Sequence, residues 1–156
     1  MNKQLASLSL LVAASLVSLP ALAATNAIVK TATASQITVL SNGNGMPAAT
    51  SFGLVSTDFT SGTLIKTKTL TSIAYTIAAY PAATTDTVEL CYYRPYAATP
   101  SLCKAVTSGS TATTTDFNSF PFGNGVGLRI NHTTTGAPGA QLKPSRQESV
   151  TYTYSY

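Results

Sequence analysis

The only imidazole in the 156-residue chain is His132, and an imidazole is the first side chain to test for acid–base chemistry or metal binding at neutral pH. It stands in Asn131-His132-Thr133, between an apolar run and a Thr-rich stretch. A catalytic base or a zinc site needs partner groups, and no second histidine exists to supply one. The expectation is therefore an exposed strand-end histidine without a catalytic role. The five carboxylates, Asp58, Asp86, Glu89, Asp116 and Glu148, are scattered along the chain. Asp86 and Glu89 are the closest pair, yet a spacing of three on a strand sends them to opposite faces. A glycosidase-type pair of acids would need a long-range meeting. The chain holds no G-x-S-x-G elbow and no G-x-x-x-x-G-K-[ST] loop, which removes the familiar frames for acyl transfer and nucleotide binding. Gly123-Asn124-Gly125-Val126-Gly127 precedes a strand, so it reads as a turn and not as a phosphate cradle. These residues predict no enzyme, no metal and no cofactor.

Two cysteines remain, Cys91 and Cys103. An even count in an exported chain predicts a disulfide, and the absence of C-x-x-C spacing makes it a structural bridge. Between them lies YYRPYAATPSL, whose Tyr92, Tyr93 and Tyr96 surround Arg94. Aromatic rings beside an arginine can anchor a protein partner. These four residues are the candidate partner-binding patch, with the proviso that strand alternation buries one of Tyr92 and Tyr93.

What must position these groups is a set of strands. The apolar residues of the last segment, Val150, Tyr152, Tyr154 and Tyr156, fall at every second position, the period of a strand with one buried face. Further candidate strands are 27–40 with a break near Thr33, 51–57, 70–80, 86–93, 101–106, 115–120 and 126–132, each bounded by Gly, Pro, Asn or Ser. Ile73, Tyr75 and Ile77 share one face and nominate a core. Eight short strands without a helical period predict an all-β fold, an antiparallel β-sandwich or small barrel.

The chain opens on MNKQLASLSLLVAASLVSLPALA, a charged start, an apolar run and an A-x-A site, which predicts a bacterial signal peptide over 1–23. The remainder, 24–156, is the size of one domain, and nothing in it is long and apolar enough for a membrane-spanning helix. The expected location is the periplasm or the medium. Charged residues make up 9% of the chain, well under the roughly 25% usual for soluble domains, so Thr and Ser must supply the polar surface. Net charge is +4, and +3 once Lys3 leaves with the leader. The cations are dispersed, and no nucleic-acid partner is expected.

The order LTSIAYTIAAY, VELC, LCKAV, then Gly109 and Thr111 leading to Phe117, then GLRI and GAQLKPSRQESVTYTY resembles the small periplasmic flagellar proteins of the FlhE family. In the closing segment Leu142, Pro144, Arg146, Val150 and Tyr152 hold the pattern, which spans roughly Leu70 to Tyr154. The chain departs from it in a longer loop between the cysteines, a longer Thr-rich N-terminal stretch and residues after Tyr152. The resemblance implies a non-enzymatic periplasmic accessory of flagellum assembly or export, either chaperone-like or limiting proton leakage, with a flagellar or other surface-structure protein as partner. It brings no catalytic residues.

The alternative is a chaperone-usher pilus subunit or secreted adhesin, which the Thr/Ala/Gly-rich composition and tyrosine-rich end also fit. In that case AIVKTATASQITVL would be the donor strand for a neighbour. A closed domain is favoured, because eight strands complete a sandwich and a long unpaired edge invites aggregation. On that reading Val150, Tyr152 and Tyr154 face the chain's own core, and 153–156 is expected to be dispensable.

Overall fold

The computed structural model describes residues 24–156; the expected leader lies outside them. Ten strands are present among the described residues: β1 (Thr25–Thr33), β2 (Ile37–Thr38), β3 (Ala48–Gly53), β4 (Thr69–Thr76), β5 (Thr85–Tyr93), β6 (Leu102–Val106), β7 (Thr111–Thr114), β8 (Gly127–Thr135), β9 (Gln141–Leu142) and β10 (Gln147–Ser155). They form two four-stranded antiparallel sheets, ordered β1-β10-β4-β7 and β3-β8-β5-β6, with β2 and β9 paired apart from both. The all-β reading holds, with ten strands where eight were expected.

The expected strand 51–57 ends at Gly53, with a 3-10 turn at Ser56–Asp58, and 70–80 ends at Thr76; two further assignments change outright. Residues 115–120 form turns, closed by Asn118 N–H to the Thr115 carbonyl and Phe120 N–H to that of Phe117. Asp116, Asn118 and Ser119 favour turn conformations there, and Phe117 is wholly buried. The strand lies earlier, at Thr111–Thr114, where four small or β-branched residues pair with β4. The Thr-rich tract after His132 also belongs to a strand, since Thr133, Thr134 and Thr135 continue β8 in register with Thr87, Asp86 and Thr85.

The core is built by alternation on both sheets. Leu70, Ile73 and Tyr75 of β4, and Ile77 just beyond it, meet Val150, Tyr152 and Tyr154 of β10 on one side. On the other side are Val88, Leu90 and Tyr92 of β5 with Leu128 and Ile130 of β8. Each large apolar side chain taken out of water contributes about 1.5–3 kcal/mol. Tyrosine hydroxyls cannot be buried unpartnered without cost. Tyr152 accordingly donates to the Phe52 carbonyl at 2.7 Å and Tyr92 to that of Pro121 at 3.0 Å.

β10 occupies an inner position. Residues Gln147–Ser155 pair along their whole length with Thr25–Thr33 of β1 on one side, and Ser149–Ser155 pair with β4 on the other. The N-terminal stretch is therefore spent inside its own sheet. Cys91 and Cys103 are direct cross-strand neighbours on β5 and β6, Cα atoms 4.0 Å apart, joined by the expected disulfide. Closing so short a loop contributes about 3 kcal/mol on the chain-entropy estimate.

The expectation that 153–156 is dispensable is overturned. Tyr154 is 1% exposed, with its ring against Phe59 and Phe122 at 5.8 and 5.2 Å. It is in phase with Val150 and Tyr152, so the alternation that buries them buries it as well. Tyr154→Ala should lower unfolding stability by about 3–5 kcal/mol. Urea denaturation of the variant checks this; an unchanged midpoint would place the end of β10 outside the cooperative unit.

Candidate functional site

His132 is not exposed. It is 2% accessible, because it follows Leu128 and Ile130 on the inward face of β8. Two carboxylates meet it there. Nδ1 lies 2.9 Å from Asp86 Oδ1, on the neighbouring strand β5. Nε2 lies 2.9 Å from Glu148 Oε1, across the sandwich on β10. Ring nitrogens facing two carboxylate oxygens both donate only when the imidazole is protonated. Burial opposes that charge, the hydrogen bonds and charges of Glu148 and Asp86 outweigh it, and the pKa of His132 is raised above the ordinary imidazole value.

The surroundings complete a polar knot between two apolar cores. Glu148 Oε1 also accepts from the Ala78 amide at 3.2 Å, and Asp86 Oδ2 accepts from the Ser108 hydroxyl. The Tyr80 ring packs edge-on against the imidazole at 5.0 Å, and its hydroxyl donates to the Ser35 carbonyl at 2.5 Å. Burial, with the two carboxylates nearby, pushes the Tyr80 phenol up to about 12. Tyr80 belongs to a small second core with Ala34, Ile37, Val39, Ala78 and Leu142, so the knot joins that core to the main one.

Serine, aspartate and histidine here invite comparison with a hydrolase triad, and the connectivity answers it. A nucleophilic serine must give its proton to the histidine; Ser108 instead donates to the carboxylate. Both ring nitrogens of His132 are occupied, and its side chain is 1% exposed. What the arrangement can do is hold a buried cation between two anions and tie the sheets together.

The signal for this cluster was present in the alternation. Asp86 shares the phase of Val88, Leu90 and Tyr92; His132 that of Leu128 and Ile130; Glu148 that of Val150 and Tyr152. Three titratable residues in core phase on three strands have to find one another or remain buried alone. Glu89, as its spacing from Asp86 predicts, points outward. Its carboxylate lies within 4.8 Å of the cysteine sulfurs, which the disulfide withdraws from metal binding.

The aromatic patch divides. Tyr92 is wholly buried, its ring stacked on Phe117 and Phe120 at 5.4 and 5.6 Å, and it leaves the patch; β5 alternation points it inward. Tyr93 is half-buried on the outer face of β5, under the Arg129 guanidinium at 5.0 Å. Arg94 lies over the Phe120 ring at 5.4 Å. Tyr96 is 79% exposed, with a positive φ of 60°, and its hydroxyl accepts from Asn124 Nδ2 at 2.7 Å. Tyr93, Arg94 and Tyr96 thus have separate partners in Arg129, Phe120 and Asn124, with Arg94 and Tyr96 exposed and Tyr93 half-buried.

Removing the cation strands two buried carboxylates, so His132→Ala should cost about 3–5 kcal/mol in unfolding stability. The pH dependence follows from the raised folded-state pKa. The stabilisation from His132 is full below the unfolded value near 6.5 and is lost as pH rises through the higher folded value. Thermal melts should show stability falling from pH 6.5 upward through that window. A wild-type profile flat there, or one matched by His132→Ala, would contradict a buried imidazolium.

No family model and no curated protein matches the chain. Among solved structures, it is similar to the crystal structure of FLHE, at a TM-score of 0.49 and 16% identity, covering 86% of this chain and 100% of that one.

Proposed function

We propose that the protein is a self-contained, non-enzymatic periplasmic accessory of flagellum assembly or export, following cleavage of its leader after Ala23, and that it acts by binding a protein partner. The observation that carries the self-contained part is the inner position of β10, paired on both sides within its own chain. A pilus subunit keeps a strand position vacant for a neighbour and an N-terminal segment free to donate; here β1 is already hydrogen-bonded to β10. The non-enzymatic part is supported by the sealed His132 cluster, whose base is occupied at both nitrogens. The flagellar part is supported by the sequence pattern from Leu70 to Tyr154. The proposed binding surface is the segment of Tyr93, Arg94 and Tyr96, supported by the exposure of Arg94 and Tyr96 and by the capacity of arginine and aromatic side chains to anchor a protein partner. No described helix is long and apolar enough to cross a membrane, which is consistent with a protein released after export.

The test has two readouts. Exported to a periplasm without any partner, the protein should sediment as a monomer with one cooperative melt; ladders that survive mild denaturant would defeat the closed-domain reading. Deletion of its gene should impair flagellum assembly or swimming, restored by the wild type. Normal flagella in the deletion strain would defeat the flagellar reading.

A further inference from the structure

On the outer face of the β3-β8-β5-β6 sheet the register places Gly53 of β3 beside Gly127 of β8, and Gly127 beside Tyr93 of β5. The next outward row carries Ser51, Arg129 and Cys91. Two adjacent glycines in an outward row remove two side chains from the sheet surface. The result is a hollow of about 200 Å³, lined by Ser51, Gly53, Tyr93, Ala97, Gly127 and Arg129 among others. Its rim is held in place: the Tyr96 ring rests on Gly125, where an added Cβ would come within 2.7 Å of it, and Tyr96 N–H bonds the Gly125 carbonyl at 3.0 Å. Ligand clefts for drug-sized molecules run from about 300 Å³ upward, so this one suits a group the size of a single residue.

Its one charged wall is Arg129. Of the five carboxylates in the chain, Asp58 pairs with Lys30, Asp116 with Lys104, and Asp86 and Glu148 with His132. Glu89 makes no ion pair with Arg129, and the Arg129 guanidinium makes no hydrogen bond among the described residues, while the Tyr93 ring fixes its position. A planar fork of N–H donors with no internal acceptor matches a carboxylate in two-point contact, and Ser51 adds a hydroxyl beside it.

We propose that this hollow receives a single carboxylate-bearing residue, an acidic side chain or chain terminus, from a protein partner. The inference rests on the proposal that the protein works by binding a protein partner and names that partner's chemistry. Gly53 supplies a clean test. It is exposed, its φ is not positive, and an added Cβ meets nothing within 4 Å. Gly53→Thr therefore fills the hollow with a strand-compatible side chain while leaving Arg129 in place.

The experiment titrates the exported protein with a terminally capped Ala-Glu-Ala peptide and its Gln counterpart, following backbone amide shifts by NMR. Saturable shifts at Gly53, Gly127 and Arg129 are expected with the Glu peptide, and about tenfold weaker binding with Gln. Arg129→Gln should erase that preference. Gly53→Thr should abolish the shifts without moving the melting temperature. Equal response to Glu and Gln, an unaffected Gly53→Thr, or no saturation up to ~20 mM would overturn the proposal. Tighter binding of glucuronate at the same amides would assign the hollow to an acidic sugar and overturn the protein partner. Carboxylate binding in a protein whose deletion leaves flagella normal separates this inference from the flagellar reading.

Discussion

The two sheets of this domain are pinned to each other by one buried imidazole. His132 reaches sideways to Asp86 within its own sheet and forward to Glu148 in the opposite sheet. Hydrophobic packing between two sheets is non-directional and tolerates sliding, whereas a hydrogen bond between fixed atoms does not. The register of β5, β8 and β10 must therefore bring three particular residues to one point, and a slip by one residue would turn each of them to the solvent face. Buried ion clusters are weak contributors to net stability, because desolvation consumes most of the Coulombic gain. Their effect here is to make one relative placement of the sheets far better than its neighbours. Tyr80 and Ser108, held around the same point, extend that constraint to the second core and to the turn between β6 and β7.

The residues that carry the sequence pattern from Leu70 to Tyr154 fall into this framework. Leu142 fills the second core, and Val150 and Tyr152 fill the first. Arg146 is exposed at its tip yet donates to the carbonyls of Ile77, Gly109 and Ser110, fastening the start of β10 to the end of β4. Gly109, at φ 72°, takes a left-handed turn in which an added Cβ would come within 3.2 Å of the Ala79 methyl, so a larger residue would be strained. Every one of these is an architectural role. The pattern speaks directly to how the chain folds.

The surface is poor in charge, and this gives the few cations weight. Lys30 and Lys104 are paired, and Lys68 is buried with its ammonium on the carbonyls of Thr63, Leu64 and Lys66. Arg94 and Arg129 lie over aromatic rings at the disulfide-bearing end of the sandwich. The bridge between Cys91 and Cys103 stiffens the strands from which that end projects, so the arginines and Tyr96 sit on a cross-linked base.

By itself the sequence determined the periodic features. Period-two alternation marked the strands, their buried faces and the terminal Val150-Tyr152-Tyr154 stripe, because burial of one face is a local property that the chain writes at every second residue. The disulfide was legible too, since a chain with two cysteines allows a single internal pairing. The tertiary structure alone decided what meets what. His132 stands 46 residues from Asp86 and 16 from Glu148 in sequence, and only strand order places them in one point of the core. The hollow at Gly53 and Gly127 arises the same way: each glycine read alone is a strand weakness, and the cavity exists because register sets the two side by side. Alternation is recorded along the chain, whereas pairing across it depends on which strands become neighbours, and the free energy that selects them belongs to the folded whole.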